Sequence, residues 1–188
     1  MKQISKVDIR TRRADLAACK ADALVVGRFS DAAEPDDVLR RLDGALDGAI
    51  DRLIRLGDFK GQARTQAVVY THGRIAAERI LLVGLGEQAK ATLDTLRKAA
   101  AVAANVAVNM QLGTLCLALH RPLAGRLDPA DMGRAIAEGV CFGSYRYDEY
   151  VTQTEDGRLD ALTTDIIDSD AAQVRALISG LGSTGELP

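Results

Sequence analysis

Short apolar runs alternate along this chain with longer stretches in which apolar residues recur every third or fourth position. Ile4 to Ile9 sets Ile, Val and Ile among polar neighbours, a modest edge-strand signal. Ala23-Leu-Val-Val26 is an apolar run ended by Gly27, which suits a strand covered on both faces. Asp31 to Pro35 reads as a loop. From Asp36 onward Leu39, Leu42, Leu46, Ile50, Leu53 and Ile54 follow a helical period, predicting one helix of about five turns. Asp36 or Asp37 can cap it, Asp37/Arg41 and Asp51/Arg55 are favourable pairs four apart, and Gly57 ends it.

After the loop Asp58–Gly61, the spans Ala67–Thr71 and Arg79–Val83 read as strands joined by a turn at His72-Gly73-Arg74. Thr92 caps an alanine-rich helix running to about Met110, and Gly113–Leu119 is another apolar strand. Pro129, with Asp128 as cap, opens a third helix that ends near Gly143. Ala161–Ile167 is a last strand, and Ser169 or Asp170 caps a final helix that stops at Gly180. The resulting order, β-β-α-β-β-α-β-α-β-α, predicts an α/β domain with a mostly parallel, partly mixed sheet between helices. Residues 1–180 form this domain, and the tail 181–188 reads as linker.

Composition narrows the function classes. A length of 188 residues fits one domain, and 47% hydrophobic with 27% charged residues is ordinary for a globular protein. A net charge of −2 without a long run of one sign argues against a nucleic-acid surface. The basic groups Arg10/Arg12/Arg13 and Arg40/Arg41 have acids interleaved with them and read as solvated faces. The three cysteines, Cys19, Cys116 and Cys141, have no C-x-x-C spacing and apolar or small neighbours; buried, reduced thiols are expected. The polar start at Met1–Lys6 gives no signal-peptide pattern, and no apolar run approaches a membrane-spanning length. A cytoplasmic location is the expectation.

Candidate chemistry is sparse. His72 and His120 each lack a second ligand at metal spacing and read as ordinary loop or strand-end residues. H-E-x-x-H, nucleophile-elbow and Walker patterns do not occur. Gly84-Leu-Gly86-Glu-Gln-Ala89 spells G-x-G-x-x-A after a strand, the form of a pyrophosphate loop. Its helix begins only near Thr92, however, and Glu87 would stand beside the phosphate, so a plain strand-to-helix turn is the better reading.

The stretch Glu138-Gly-Val-Cys-Phe-Gly-Ser-Tyr-Arg-Tyr-Asp-Glu-Tyr150 holds four of only seven aromatic residues. Rings so concentrated predict a packing node, with Tyr145, Tyr147 and Tyr150 at least partly buried. The stretch also resembles the E-G-x-x-x-G-S-Y-x-F/Y-D-x-Y segment that closes the N-terminal domain of leucyl (cytosol) aminopeptidases. Ala21–Val26 looks like that family's second strand. Gly57-Asp-Phe-Lys-Gly61 is similar to its G-D-F-x-G loop, and Arg79–Gly86 to its R-x-L-L-V-G-L-G strand.

The resemblance implies a macro-domain-like fold and a parent metallopeptidase, a hexameric hydrolase with two divalent metals, zinc or manganese. Its N-T-D-A-E-G-R and G-K-G-x-x-F-D-x-G-G motifs match no stretch here. Thr163-Thr164-Asp165 begins like the first, but Ile166-Ile167 follows. No catalytic, cofactor-binding or metal residue is therefore assigned. The implied role is a non-catalytic accessory domain whose partners are a catalytic domain absent from this chain and sister subunits of a homo-hexamer. Neither a membrane nor nucleic acid is expected as a partner. The alternative is a free-standing macro-like module that binds ADP-ribose or another nucleotide.

Overall fold

A computed structural model describes residues 6–145 and 159–181. Six strands form one sheet: β1 (Lys6–Arg13), β2 (Ala23–Phe29), β3 (Gln66–Tyr70), β4 (Arg79–Gly86), β5 (Thr114–Leu117) and β6 (Ala161–Asp168). Five helices accompany them: α1 (Asp37–Ala45), α2 (Ala49–Leu56), α3 (Leu93–Met110), α4 (Pro129–Ser144) and α5 (Ala171–Leu181). The strand order is β1-β6-β5-β2-β4-β3, parallel throughout except for the antiparallel β3–β4 pair. The mixed α/β sandwich and the edge position of β1 agree with the sequence pattern. The predicted start of β1 at Ile4 and the tail 182–188 lie outside the described residues.

Alternation along the buried strands feeds two cores. Ala23 and Val25 of β2, with Leu81 and Val83 of β4, face α3, α4 and α5. Leu24 and Val26, with Ile80 and Leu82, face α1 and α2. Because both faces are covered, these strands carry continuous apolar runs, not alternating polar ones.

The single helix expected over 36–54 is two. Asp47 and Gly48 take left-handed backbone (φ 52° and 76°), which interrupts α-helical hydrogen bonding after α1. The Asp43 carboxylate accepts the Ile50 and Asp51 amides at 2.9 and 3.0 Å, so a residue of α1 caps α2. The apolar period continues through the break because both helices bury the same stripe, which is why the pattern alone does not reveal it. Asp36 does cap α1, accepting the Leu39 amide at 2.8 Å, and Asp128 caps α4 ahead of Pro129. Asp51 pairs with Arg55 as expected, whereas Asp37 pairs with Arg40, and Arg41 reaches Asp15 instead.

The cysteines correct a second expectation. Cys19 and Cys116 are joined as a disulfide, while Cys141 is free and half-buried. Spacing of 97 residues gives no local signal for the pair. It arises because the loop after β1 folds back over β5.

Helices α3 and α4 bring their backbones into close approach. The buried face of α3 is Leu96 with Ala99, Ala100, Ala103, Ala104 and Ala107. Opposite lie Gly139 and Gly143, where a Cβ would stand 2.2 Å from the Arg97 carbonyl oxygen and 2.1 Å from that of Ala101. The glycines of the E-G-x-x-x-G-S-Y stretch are thus required by backbone approach between helices. Gly139→Ala is expected to cost about 1–3 kcal/mol through overpacking. Gly44→Ala in α1, whose new methyl would meet nothing within 4 Å, should instead gain up to about 1 kcal/mol. Urea denaturation of the two variants against the parent checks both signs.

Candidate functional site

In open α/β sheets ligands gather outside the carboxyl ends of the strands, where the strand order reverses. Here that point lies between β2 and β5, since the chain passes from β2 to β4 on one side and returns to β5 on the other. The segment that follows β5 packs against β2 there. After β5 the chain runs through Leu119 and His120 into a short 3-10 turn, Arg121–Leu123, and Leu119, His120 and Leu123 are fully buried. The Arg28 guanidinium at the end of β2 donates to the Phe29 and Ala32 carbonyls at 2.8 and 3.2 Å.

The same edge holds a buried polar cluster that the sequence reading missed. Asp168 ends β6 and is 2% exposed. One carboxylate oxygen meets His120 Nε2 at 2.8 Å; the other accepts from Arg121 Nη1 at 2.9 Å and from the Asp170 amide at 2.8 Å. Burial alone would push this carboxyl up. The hydrogen bonds from His120, Asp170 and Arg121, with the charge of Arg121, outweigh burial and hold the carboxyl well below the usual carboxylate range. Asp36, capping α1, moves the other way: burial raises it, only partly offset by the Leu39 amide and the charge of Arg121. The cluster ties the exits of β5 and β6 together. The carboxylate accepts three hydrogen bonds, and both it and the imidazole are enclosed. The available signal was a His-Arg pair closing one apolar strand and a lone Asp closing another. Their sequence separation of 48 hides the pairing.

The G-x-G loop lines a cleft of about 460 Å³ together with Arg64, Lys90 and Lys98. Three of its amides are already committed. Gly84 N–H donates to Thr65 O at 2.8 Å, Gly86 N–H to Gly61 O at 2.9 Å, and Gln88 N–H to the Asp31 carboxylate at 2.9 Å. A Cβ on Gly84 would stand 1.9 Å from the Gln62 carbonyl oxygen. These glycines seat the 61–65 loop against β4 and leave no row of amides for a phosphate. Lys90 and Lys98 are paired with Glu87 and Asp94 at 2.8 and 2.5 Å.

Other candidate positions are dispersed. His72 is exposed in a turn at φ 52°, and Asp165 of the Thr163–Asp165 stretch is held by Arg12 at 3.1 Å. Among the described residues no three His, Cys, Asp or Glu side chains converge as metal ligands. A two-metal centre needs several such donors on one point, so the described donor set does not fit one. No helix among the described residues is long and apolar enough to cross a membrane.

Of the expected aromatic packing node only Phe142 and Tyr145 lie among the described residues, and neither is buried. Phe142 is 71% exposed and Tyr145 48% exposed, beside Ala101, Val102 and Val106 of α3. The glycines at 139 and 143 bring α4 so close to α3 that bulky side chains at its last turn are directed outward. Tyr147 and Tyr150 lie outside the described residues.

Comparison with solved structures agrees with this architecture. A tomato leucine aminopeptidase mutant superposes with a TM-score of 0.71 at 21% identity, covering 92% of this chain and 35% of that one. A Trypanosoma brucei macrodomain solved with ADP gives 0.66 at 13% identity, covering 95% of this chain and 70% of that one. The fold is therefore a three-layer, macrodomain-like α/β sandwich. A family model described as the cytosol aminopeptidase family, N-terminal domain, matches residues 25–154. The chain belongs to that family, as its N-terminal domain. A probable cytosol aminopeptidase of Geobacter sp. (strain M21) is 38% identical over 136 residues, 72% of this chain but 26% of that protein. For a Nostoc punctiforme relative the share is 34%. The chain thus spans between a quarter and a third of these relatives.

Asp168→Asn should cost about 3 kcal/mol at neutral pH, because it leaves His120 and Arg121 facing an uncharged group in a buried site. The folded-state carboxyl lies below its unfolded value, so its contribution is complete above about pH 4 and fades as pH falls further. Urea midpoints at pH 7 and pH 3.5 should show the gap between parent and variant narrowing in acid. Tyr145→Ala and Phe142→Ser, by contrast, should each shift stability by no more than about 0.5 kcal/mol.

Proposed function

We propose that this domain serves as a non-catalytic, accessory part of a two-metal aminopeptidase that removes N-terminal residues from peptides. The observation that carries the reading is the family match over 25–154, combined with a described donor set that forms no metal-binding constellation. The peptide-cleaving chemistry and the divalent metals, zinc or manganese, then belong to the catalytic portion that makes up the rest of such relatives. Residues 1–180 act as the domain, and 181–188 as the linker toward that portion. Assembly with sister subunits into a homo-hexamer, in the cytoplasm, completes the reading.

A nucleotide-binding module is the weaker reading. The likeness to macrodomains carries the fold alone at 13% identity. The Gly84 and Gly86 amides are bonded internally to the 61–65 loop.

The purified 188-residue chain, incubated with leucyl-anilide and added manganese, should hydrolyse it only at the background rate. Calorimetric titration with ADP-ribose should give no low-micromolar binding, a level that corresponds to about −8 kcal/mol. Metal-dependent turnover that co-purifies with the chain would overturn the accessory reading. Tight nucleotide binding would favour the module.

A further inference from the structure

The two faces of the sheet are covered unequally. Among the described residues three helices lie on one face, while α1 and α2 on the other leave the region over β5 and β6 to the irregular loop 14–22. That loop carries Leu16, Ala17, Cys19 and Ala21 onto the second core. It also organises its neighbours: its Ala17 and Ala21 carbonyls accept the Ala76 and Glu78 amides at 2.9 and 3.0 Å, and Asp15 holds Arg41 of α1 at 3.0 Å. Its covalent tie to the sheet is Cys19–Cys116.

A cation stands on this bond. Arg12 Nη2 lies 2.9 Å from Cys19 Sγ and 3.8 Å from Cys116 Sγ, and is oriented by Asp165 at 3.1 Å. Both cysteines are 1% exposed, whereas the Arg12 side chain is 48% exposed, so the guanidinium bridges solvent and the sulfurs. A neighbouring guanidinium favours thiolate over thiol, and a stabilised thiolate leaves faster in thiol–disulfide exchange.

We propose that Cys19 and Cys116 form a reversible thiol–disulfide exchange site, with Arg12 as its positioning cation, whose reduction frees the 14–22 loop from the sheet. The reductant is a low-molecular-weight thiol. On a local opening of the 14–22 loop, which exposes the otherwise buried sulfurs, its thiolate attacks Cys19 Sγ, forming a mixed disulfide and breaking the Cys19–Cys116 bond. Cys116 departs as a thiolate beside Arg12 and takes up a proton. A second thiol then attacks the mixed disulfide, leaving two cysteine thiols and one oxidised small-molecule disulfide. Two electrons pass in all, and oxidised glutathione runs the sequence backward.

The full chain, equilibrated with oxidised or reduced glutathione, acid-quenched and alkylated in urea, should show one free thiol (Cys141) when oxidised and three when reduced. Trypsin cleavage after the exposed Lys20 should be at least about tenfold faster in the reduced protein, and slow again on reoxidation. Arg12→Gln should lower the rate of reduction several-fold. Three alkylatable thiols after oxidation, equal cleavage at Lys20 in both states, or an unchanged reduction rate in Arg12→Gln would each overturn the proposal. The first two readings use the parent protein alone, so no variant's folding enters them.

Discussion

Helix α4 lies on α3 with almost no side chain between the two backbones, and much of the rest of the domain is arranged around that approach. With seven aromatic residues, the chain has few large side chains for filling space between layers. It uses small ones instead. The alanine face of α3 meets Gly139 and Gly143, and the same device recurs where Gly133 and Gly180 bring α4 and α5 within backbone contact. Close approach forms many dispersion contacts per unit area, but it tolerates no added methyl. One consequence is directional: Phe142, one residue before Gly143, cannot enter the seam and turns toward solvent.

A glycine-rich stretch can serve either a ligand or a neighbouring backbone, and the two uses are spelled alike. At Gly84 and Gly86 the neighbour is the 61–65 loop, whose carbonyls take the amides that a phosphate would need. That loop is fixed in turn by Phe59, 2% exposed in the second core, and by Gly61, which passes against the Phe29 backbone. The G-D-F-K-G and G-L-G stretches are therefore two halves of one packing contact. Their joint presence in the sequence reflects a shared structural demand, not a site.

Most of the architecture was legible in the sequence because strands covered on both faces must be continuously apolar and long helices must keep one stripe. The capping residues Asp36, Asp128 and Asp170 were legible for the same local reason. What escaped depends on distance or on choices that the hydrophobic period does not record. The break at Asp47–Gly48 preserves the stripe and so leaves the period intact. The Cys19–Cys116 bond and the His120–Asp168–Arg121 cluster join residues 97 and 48 positions apart, with polar atoms that look ordinary one at a time. Phe142 and Tyr145 fail for a different reason: ring scarcity was read as pressure to bury, whereas backbone proximity had already claimed the space.

The buried cluster and the disulfide address one weakness of the fold. Parallel strands β5 and β6 meet along only four residue pairs, Thr114–Leu117 against Thr163–Ile166, so few ladder bonds hold the short central strand. Beyond the end of that ladder, His120 and Arg121 grip Asp168 and extend the pairing by side chains where the backbone has diverged. On the opposite side of β5, the β2 pairing spans three positions, and Cys116 within it carries the covalent tie to the loop above. Both devices thus brace β5, the strand that separates the crossover halves of the sheet. A charged brace costs desolvation but fixes one geometry, while the disulfide restricts the unfolded chain; the two reinforce the same strand by different physics. This bracing fixes the exit of β5, the strand beside the switch point of the sheet.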